Sequence, residues 1–213
     1  RLFLHSAALA SALGPTLAHA TNPAPSKPPQ WPAPPPVREQ LRQRYFPDIR
    51  LQTHLGQRVR LYEDLIKDKL VLINFIYLNC SDGTCPVTTY NLSQVQKLLK
   101  DRVGRDIFMY SVSIDPENDS VELLNRYAKS FHAGPGWLFL RAEPQDTELL
   151  RKRLGFVDRD PAVDAKKSNH LAMVRLGNEP AHIWTTASAM SAPATIVKNV
   201  QLLDVPAPSR PRS

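Results

Sequence analysis

The chain has 213 residues, 42% of them apolar, and a formal net charge of +7. That length gives one domain with tails and enough apolar side chain for a self-sufficient core, which excludes a small disulfide scaffold. The positive charge favours acidic partners or an anionic membrane surface. Lys and Arg are scattered, without the basic-aromatic stripe of a nucleic-acid interface, so no nucleic-acid partner is expected.

In chain order, Arg1 precedes an apolar stretch from Leu2 to Ala18, and Ala18-His19-Ala20 fits a small-x-small cleavage site. Residues 1–20 therefore read as an export signal; His5, Ser6, Gly14 and Pro15 interrupt it and make it a poor lipid-spanning helix. Export places the protein in the periplasm or another extracytoplasmic compartment, with or without membrane association, where paired cysteines oxidise unless kept reduced. Residues 21–40, with prolines from Pro23 to Pro36, form an extended tether. The folded unit is expected over 41–205 as a monomer, with a flexible tail over 206–213.

Within that unit, Tyr45–Leu51 and Arg58–Leu61 flank a turn and predict an N-terminal hairpin. The dense apolar run Leu70–Tyr77 predicts a strand covered on both faces. Thr88–Leu99 places Leu92, Val95 and Leu99 on one helical face, and Ile107–Ile114 is the next strand. Asp119 is expected to cap a helix with Glu122 in the reciprocal position. Gly136–Leu140 follows as a strand, then a helix over Asp146–Leu154 stopped by Gly155. His170–Leu176 and Ala181–Thr185 form a closing hairpin, and a last helix aligns Ile196, Val200 and Leu203. The order predicts an α/β thioredoxin-like fold, a mixed central sheet flanked by helices, with an N-terminal β-hairpin.

The chain's two cysteines, Cys80 and Cys85, stand in the loop from the strand at Leu70–Tyr77 into the following helix. Helix starts stabilise a thiolate through unused N–H groups and aligned peptide dipoles. Pro86 suits such a first turn, and Gly83 lets the loop turn tightly. Two chemistries follow: soft-metal binding, with Cu(I) the natural choice, or cycling between dithiol and disulfide through a mixed disulfide. A third reading is a quiet disulfide pinning the loop, and Thr84 and Thr88 keep peroxide chemistry open as well. His170 opens an apolar strand after a polar run, where it is either a third metal ligand at the rim or an ordinary satisfied histidine. His54, His132 and His182 read as structural or solvated. Asp115-Pro116 ends the second central strand on the same sheet edge as the cysteines. Asp115 either steadies the loop or the histidine's second nitrogen, or simply feeds the next helix.

These residues resemble the SCO/SenC family of exported thioredoxin-fold copper proteins. The resemblance runs from about Tyr45 to Leu203. Its anchors are Gly56 with Arg60-Leu61, Leu70–Phe75 leading to the cysteines and Pro86, Tyr110–Pro116, Gly136-Trp137 and His170. It implies copper, as Cu(I) or Cu(II), held by Cys80, Cys85 and His170, with Asp115 beside the site. It also implies a copper chaperone that delivers the metal to the Cu(A) centre of cytochrome c oxidase, or reduces that centre's cysteines. The partner would be an oxidase subunit or another copper or thiol protein, with peripheral membrane contact. An alternative is a thiol–disulfide oxidoreductase with no copper role. One departure stands out: the family's usual spacing is Cys-x3-Cys, whereas this loop has four residues between its cysteines.

Overall fold

The computed structural model describes residues 36–80 and 83–205. The chain divides into two units, residues 1–34 and 35–213. The expected signal, nearly all of the proline-rich run and the tail at 206–213 lie outside the described residues. Among the described residues, no helix is long and apolar enough to cross a membrane.

The first element is a helix, α1 (Val37–Tyr45), where the sequence suggested the end of a tether and the start of a strand. Two short strands follow, β1 (Arg50–Thr53) and β2 (Arg58–Arg60), joined by a turn in which the Thr53 and Gln57 backbones pair. A π-helical turn over Leu61–Ile66 buries Leu61, Tyr62, Leu65 and Ile66. Strand β3 (Leu70–Ile76) is buried at all seven positions. Helix α2 (Thr84–Leu99) leads to β4 (Ile107–Ser113), then α3 (Val121–Ser130), β5 (Trp137–Ala142) and α4 (Pro144–Leu154). A short helix, α5 (Pro161–Asp164), precedes the hairpin β6 (Met173–Asn178) and β7 (Ile183–Ser188), and α6 (Pro193–Leu203) closes the unit.

The seven strands form one sheet in the order β2-β1-β5-β4-β3-β6-β7. β3, β4 and β5 run parallel, while β1 and β6 are antiparallel to their neighbours β5 and β3. This is the mixed, helix-flanked thioredoxin-like sheet with an N-terminal strand pair. The strand period of two divides β3 between two cores. Leu70, Leu72 and Ile76 pack with the buried stripes of α2, α3 and α6. Val71, Ile73 and Phe75 pack with the π-helical turn and with Leu150 and Leu154 of α4. Burying each such side chain stabilises the fold by about 1.5–3 kcal/mol, so no position of β3 is free to become polar without a partner. Asn74 has one: its Oδ1 accepts from Ser111 Oγ at 2.7 Å, and Ser111 Oγ accepts from Trp137 Nε1 at 3.0 Å.

Two local expectations change. The N-cap of α3 is Ser120, whose hydroxyl accepts from the Leu123 N–H, so Asp119 is not the cap. Asp119 turns inward instead and accepts from Ser113 Oγ at 2.5 Å. His170 does not begin a strand: it follows a single 3₁₀ turn over Lys167–Asn169, and β6 starts at Met173. The stop at Gly155 is as expected, with φ 80 in the left-handed region that glycine adopts without strain.

Candidate metal centre

The centre is built where parallel β3 and β4 end on the same edge and antiparallel β6 begins there. β3 delivers the cysteine loop. Gly83, with φ 77, is the residue before α2, and no other heavy atom comes near a Cβ built on it. The turn therefore needs glycine for its backbone, not for space. Cys85 is the second residue of α2 and is buried, while Cys80 is half-buried in the loop that leaves β3. The first turn of α2 is fastened from below: Thr88 Oγ1 and Thr89 Oγ1 donate to the Cys85 carbonyl at 3.0 and 2.8 Å. Thr89 Oγ1 also lies 3.0 Å from the Tyr127 hydroxyl on α3. Burial pushes the Tyr127 hydroxyl up to about 12, with both Cys85 and Cys80 adding to the effect, so it stays a neutral hydroxyl beside the cysteine loop. Thr88 is buried with its hydroxyl on a backbone carbonyl, an arrangement that serves the helix rather than a peroxide.

His170 comes to this loop from 85 positions away. Its Nε2 lies 3.2 Å from Cys85 Sγ and its Nδ1 3.8 Å from the same sulfur. Nδ1 also lies 3.1 Å from the Lys167 carbonyl oxygen. A carbonyl can only accept, so Nδ1 is the protonated nitrogen in that contact and Nε2, the nitrogen nearer sulfur, is the unprotonated one of the neutral ring. Two ligands of one ion, bonded at about 2.3 Å (sulfur) and about 2.0 Å (nitrogen), stand about 3.5 Å apart at a tetrahedral angle. The observed pair is within a few tenths of an ångström of that separation, and thiolate with imidazole is a donor set suited to copper. Among the described residues, however, no group of three or more His, Cys, Asp or Glu side chains is gathered to hold a metal ion. Cys85 and His170 are together, and among the described residues no third donor joins them to complete a cage.

Asp115 follows the end of β4, and its N–H donates to Ser113 Oγ at 2.9 Å. Lys167 Nζ lies 2.5 Å from its Oδ1, and Asn118 Nδ2 donates to both carboxylate oxygens at 3.1 and 3.0 Å. Burial works against ionisation here, but the Lys167 ammonium and the Asn118 amide outweigh it and hold the Asp115 carboxyl below its ordinary value. Asp115 in turn raises Lys167. Next to this pair, burial and the Asp115 charge push Asp119 up. Asp115 thus grips the side chain of the residue whose carbonyl orients the histidine ring, an indirect route not foreseen from sequence. Lys167 and Tyr127 are the contributors that sequence reasoning missed; neither lies in a recognisable motif. An open groove of about 750 Å³ starts at His170 and Lys167 and runs past Pro116 and Arg151.

The other described histidines are His54, His132 and His182. His54 is buried; its N–H donates to the Phe139 carbonyl, and its Nδ1 accepts from the Phe139 N–H at 3.1 Å. His132 and His182 sit in turns, with φ 55 and 60.

Residues 38–203 match the SCO1/SenC family. A SCO1 protein homolog of Bacillus subtilis (strain 168) is 33% identical over 95 residues, which are 44% of this chain and 47% of that protein. The chain thus spans about half the length of that relative. Bradyrhizobium japonicum ScoI, solved with copper bound, superposes with a TM-score of 0.58 at 21% identity, covering 73% of this chain and 96% of that one. BsSco, described as having a disulfide switch and as a member of the Sco family of cytochrome c oxidase assembly proteins, gives 0.57 at 23% identity, covering 71% and 88%. With the family matched from α1 through α6, the chain belongs to the SCO1/SenC family.

Proposed function

We propose that the protein is a copper chaperone that takes Cu(I) on Cys80 and Cys85, adds His170 for Cu(II), and supplies the Cu(A) centre of cytochrome c oxidase outside the cytoplasm. The observation that carries this is the 3.2 Å approach of His170 Nε2 to Cys85 Sγ. Bradyrhizobium ScoI holds copper and BsSco belongs to a family of oxidase assembly proteins, which supports the same direction. Copper is the cargo here. Two thiolates suffice for Cu(I), which tolerates bent or linear two-coordination, and the imidazole adds the harder donor that Cu(II) requires. Transfer runs by exchange: a thiolate of the partner binds the ion as Cys80 or Cys85 leaves, so copper is never released to solvent.

The four-residue spacing between the cysteines favours the Cu(I) state, because the second sulfur is carried into the buried first turn of α2. A second chemistry uses the same loop. The dithiol can reduce a partner disulfide, its own sulfurs closing to a disulfide as the partner's open, with two electrons and two protons passing across. The BsSco disulfide switch supports that alternative.

Anaerobic titration of the reduced protein with Cu(I) against a competing chelator tests the copper function. One equivalent should bind saturably, and Cys85→Ser should abolish it. Binding unchanged in Cys80→Ser and Cys85→Ser overturns it.

A further inference from the structure

Any partner that exchanges an ion or a disulfide with Cys85 must cover the rim around it, and the two sides of that rim differ in chemistry. On one side lies the groove at His170, lined by Lys167, Arg151, Asp164 and Glu148. Four of its charged side chains are engaged within the protein: Arg151 with Asp164 and Glu148, Lys167 with Asp115. On the other side lies the outer face of α2. From Thr84 to Gln96 that helix has no charged side chain, in a chain whose net charge is +7.

Three large apolar side chains stand out from this neutral surface: Val87, Tyr90 and Met190, 45%, 57% and 49% exposed. Val87 and Tyr90 are three apart on α2 and share a face. Both begin within two turns of Cys85. Met190 is brought to the same place by Asn91, whose Nδ2 donates to the carbonyls of Ala189 at 2.9 Å and Ser191 at 3.5 Å. The Ala189 N–H also donates to the Ala172 carbonyl at 2.9 Å, two residues after His170. The turn at 189–191 is therefore pinned both to the helix that carries Cys85 and to the segment that carries His170. The patch lies on the outer face of the helix whose first turn holds Cys85, while Cys85 itself is buried on the inner face.

We infer that Val87, Tyr90 and Met190 form the seat of the exchanging partner protein, which presents an uncharged apolar rim around its own cysteine thiolates. The inference rests on the copper- and thiol-exchange function proposed above. An anionic membrane is not the occupant, because the patch contributes no Lys or Arg to hold it. A second copy of the chain would bring a second donor and no acceptor. A neutral apolar seat binds by water exclusion, and its anchors are expected to be the aromatic and the methionine.

The probe is the soluble copper-binding domain of cytochrome c oxidase subunit II, metal-free and reduced, mixed with the full chain loaded with Cu(I). The double variant Tyr90→Ser/Met190→Ser should slow the second-order transfer rate about tenfold or more, while Cu(I) affinity by chelator competition is unchanged. Leu98→Ser, about 20 Å along the helix from Cys85, and Leu202→Ser on α6 are equally exposed apolar controls and should transfer like wild type. Raising salt from about 50 to about 500 mM should leave the rate nearly constant. Equal rates in the double variant and the controls overturn the inference, as does a steep fall with salt, which assigns docking to the charged groove. Chemical-shift mapping of metal-free labelled protein with the metal-free probe decides the seat without copper. Shifts centred on residues 87, 90 and 190 support it even if the chain holds no copper, a result that would remove the chaperone function alone. Shifts elsewhere, no shifts at millimolar probe, or concentration-dependent shifts at the patch without probe overturn it.

Discussion

The carbonyl oxygen of Lys167 lies 3.1 Å from Nδ1 of His170, while the Lys167 ammonium lies 2.5 Å from Oδ1 of Asp115. The ring that faces Cys85 is thus set by a residue that a buried carboxylate holds in place. Asp115→Asn should lower Cu(II) affinity about 10–100-fold, as loss of an outer orienting contact usually does. Cu(I), held by sulfur, should change far less. Lys167→Met should behave alike, and Lys167→Arg should recover part of the loss. Chelator competition in each oxidation state, with the sulfur-to-Cu(II) absorption band as second readout, checks the split; a merely structural role for Asp115 would weaken both states together.

His54 gives the stability a pH dependence. Burial lowers its pKa because the charged ring loses solvation, and the Lys129 charge adds to the shift. The folded pKa is below the unfolded one, so the unfolded chain binds the extra proton first. The contribution is complete above about pH 6.5, the ordinary histidine value, and is lost as pH falls through the depressed folded value. Denaturant unfolding at pH 7.5 and 5 should show this drop, and His54→Ala should reduce it. At the higher pH that variant should be less stable by about 1–3 kcal/mol, since it orphans a buried donor.

Arg38 ties α1 to the far hairpin. Its Nε and Nη2 each lie 2.7 Å from an oxygen of Glu179, which is buried and also accepts from Tyr62 Oη and the Asp68 N–H. Arg38→Ala should destabilise the fold by about 2–3 kcal/mol, less than a fully buried pair because the guanidinium is partly solvated. A chain begun at Leu41 should lose at least as much. Thermal unfolding would register either change as a fall in Tm of about 4–12 °C.

Gly83 is held at φ 77 before α2. Gly83→Val places a β-branched residue in the left-handed region and should cost about 1–2 kcal/mol, although there is open space for the side chain. Gly83→Asn should cost less. The order glycine, asparagine, valine in unfolding free energy is the check, because a steric clash would rank asparagine with valine.

Leu70–Ile76 was legible from sequence because a strand covered on both faces leaves no polar alternation to misread. The last helix was legible because Ile196, Val200 and Leu203 repeat at helical spacing and all three are buried. Helix α1 was not, since the prolines before it dominate the composition and its anchor is an ion pair spanning 141 positions, which no local window contains. The meeting of Cys85 with His170 followed from placing both at one rim. The part played by Lys167 did not, because a backbone carbonyl acting on a ring nitrogen leaves no trace in residue identity. Asp119 looked like a cap because aspartate commonly is one; Ser120, one step later, takes that role and frees Asp119 for Ser113.

Cys85 and His170 are 85 positions apart and meet only when β6 has been laid against β3. A nascent or denatured chain offers sulfur without that imidazole. Under the function proposed above, discrimination between the two oxidation states of the cargo is thereby withheld until the polypeptide has completed its topology, and an immature molecule has no means of imitating a finished one.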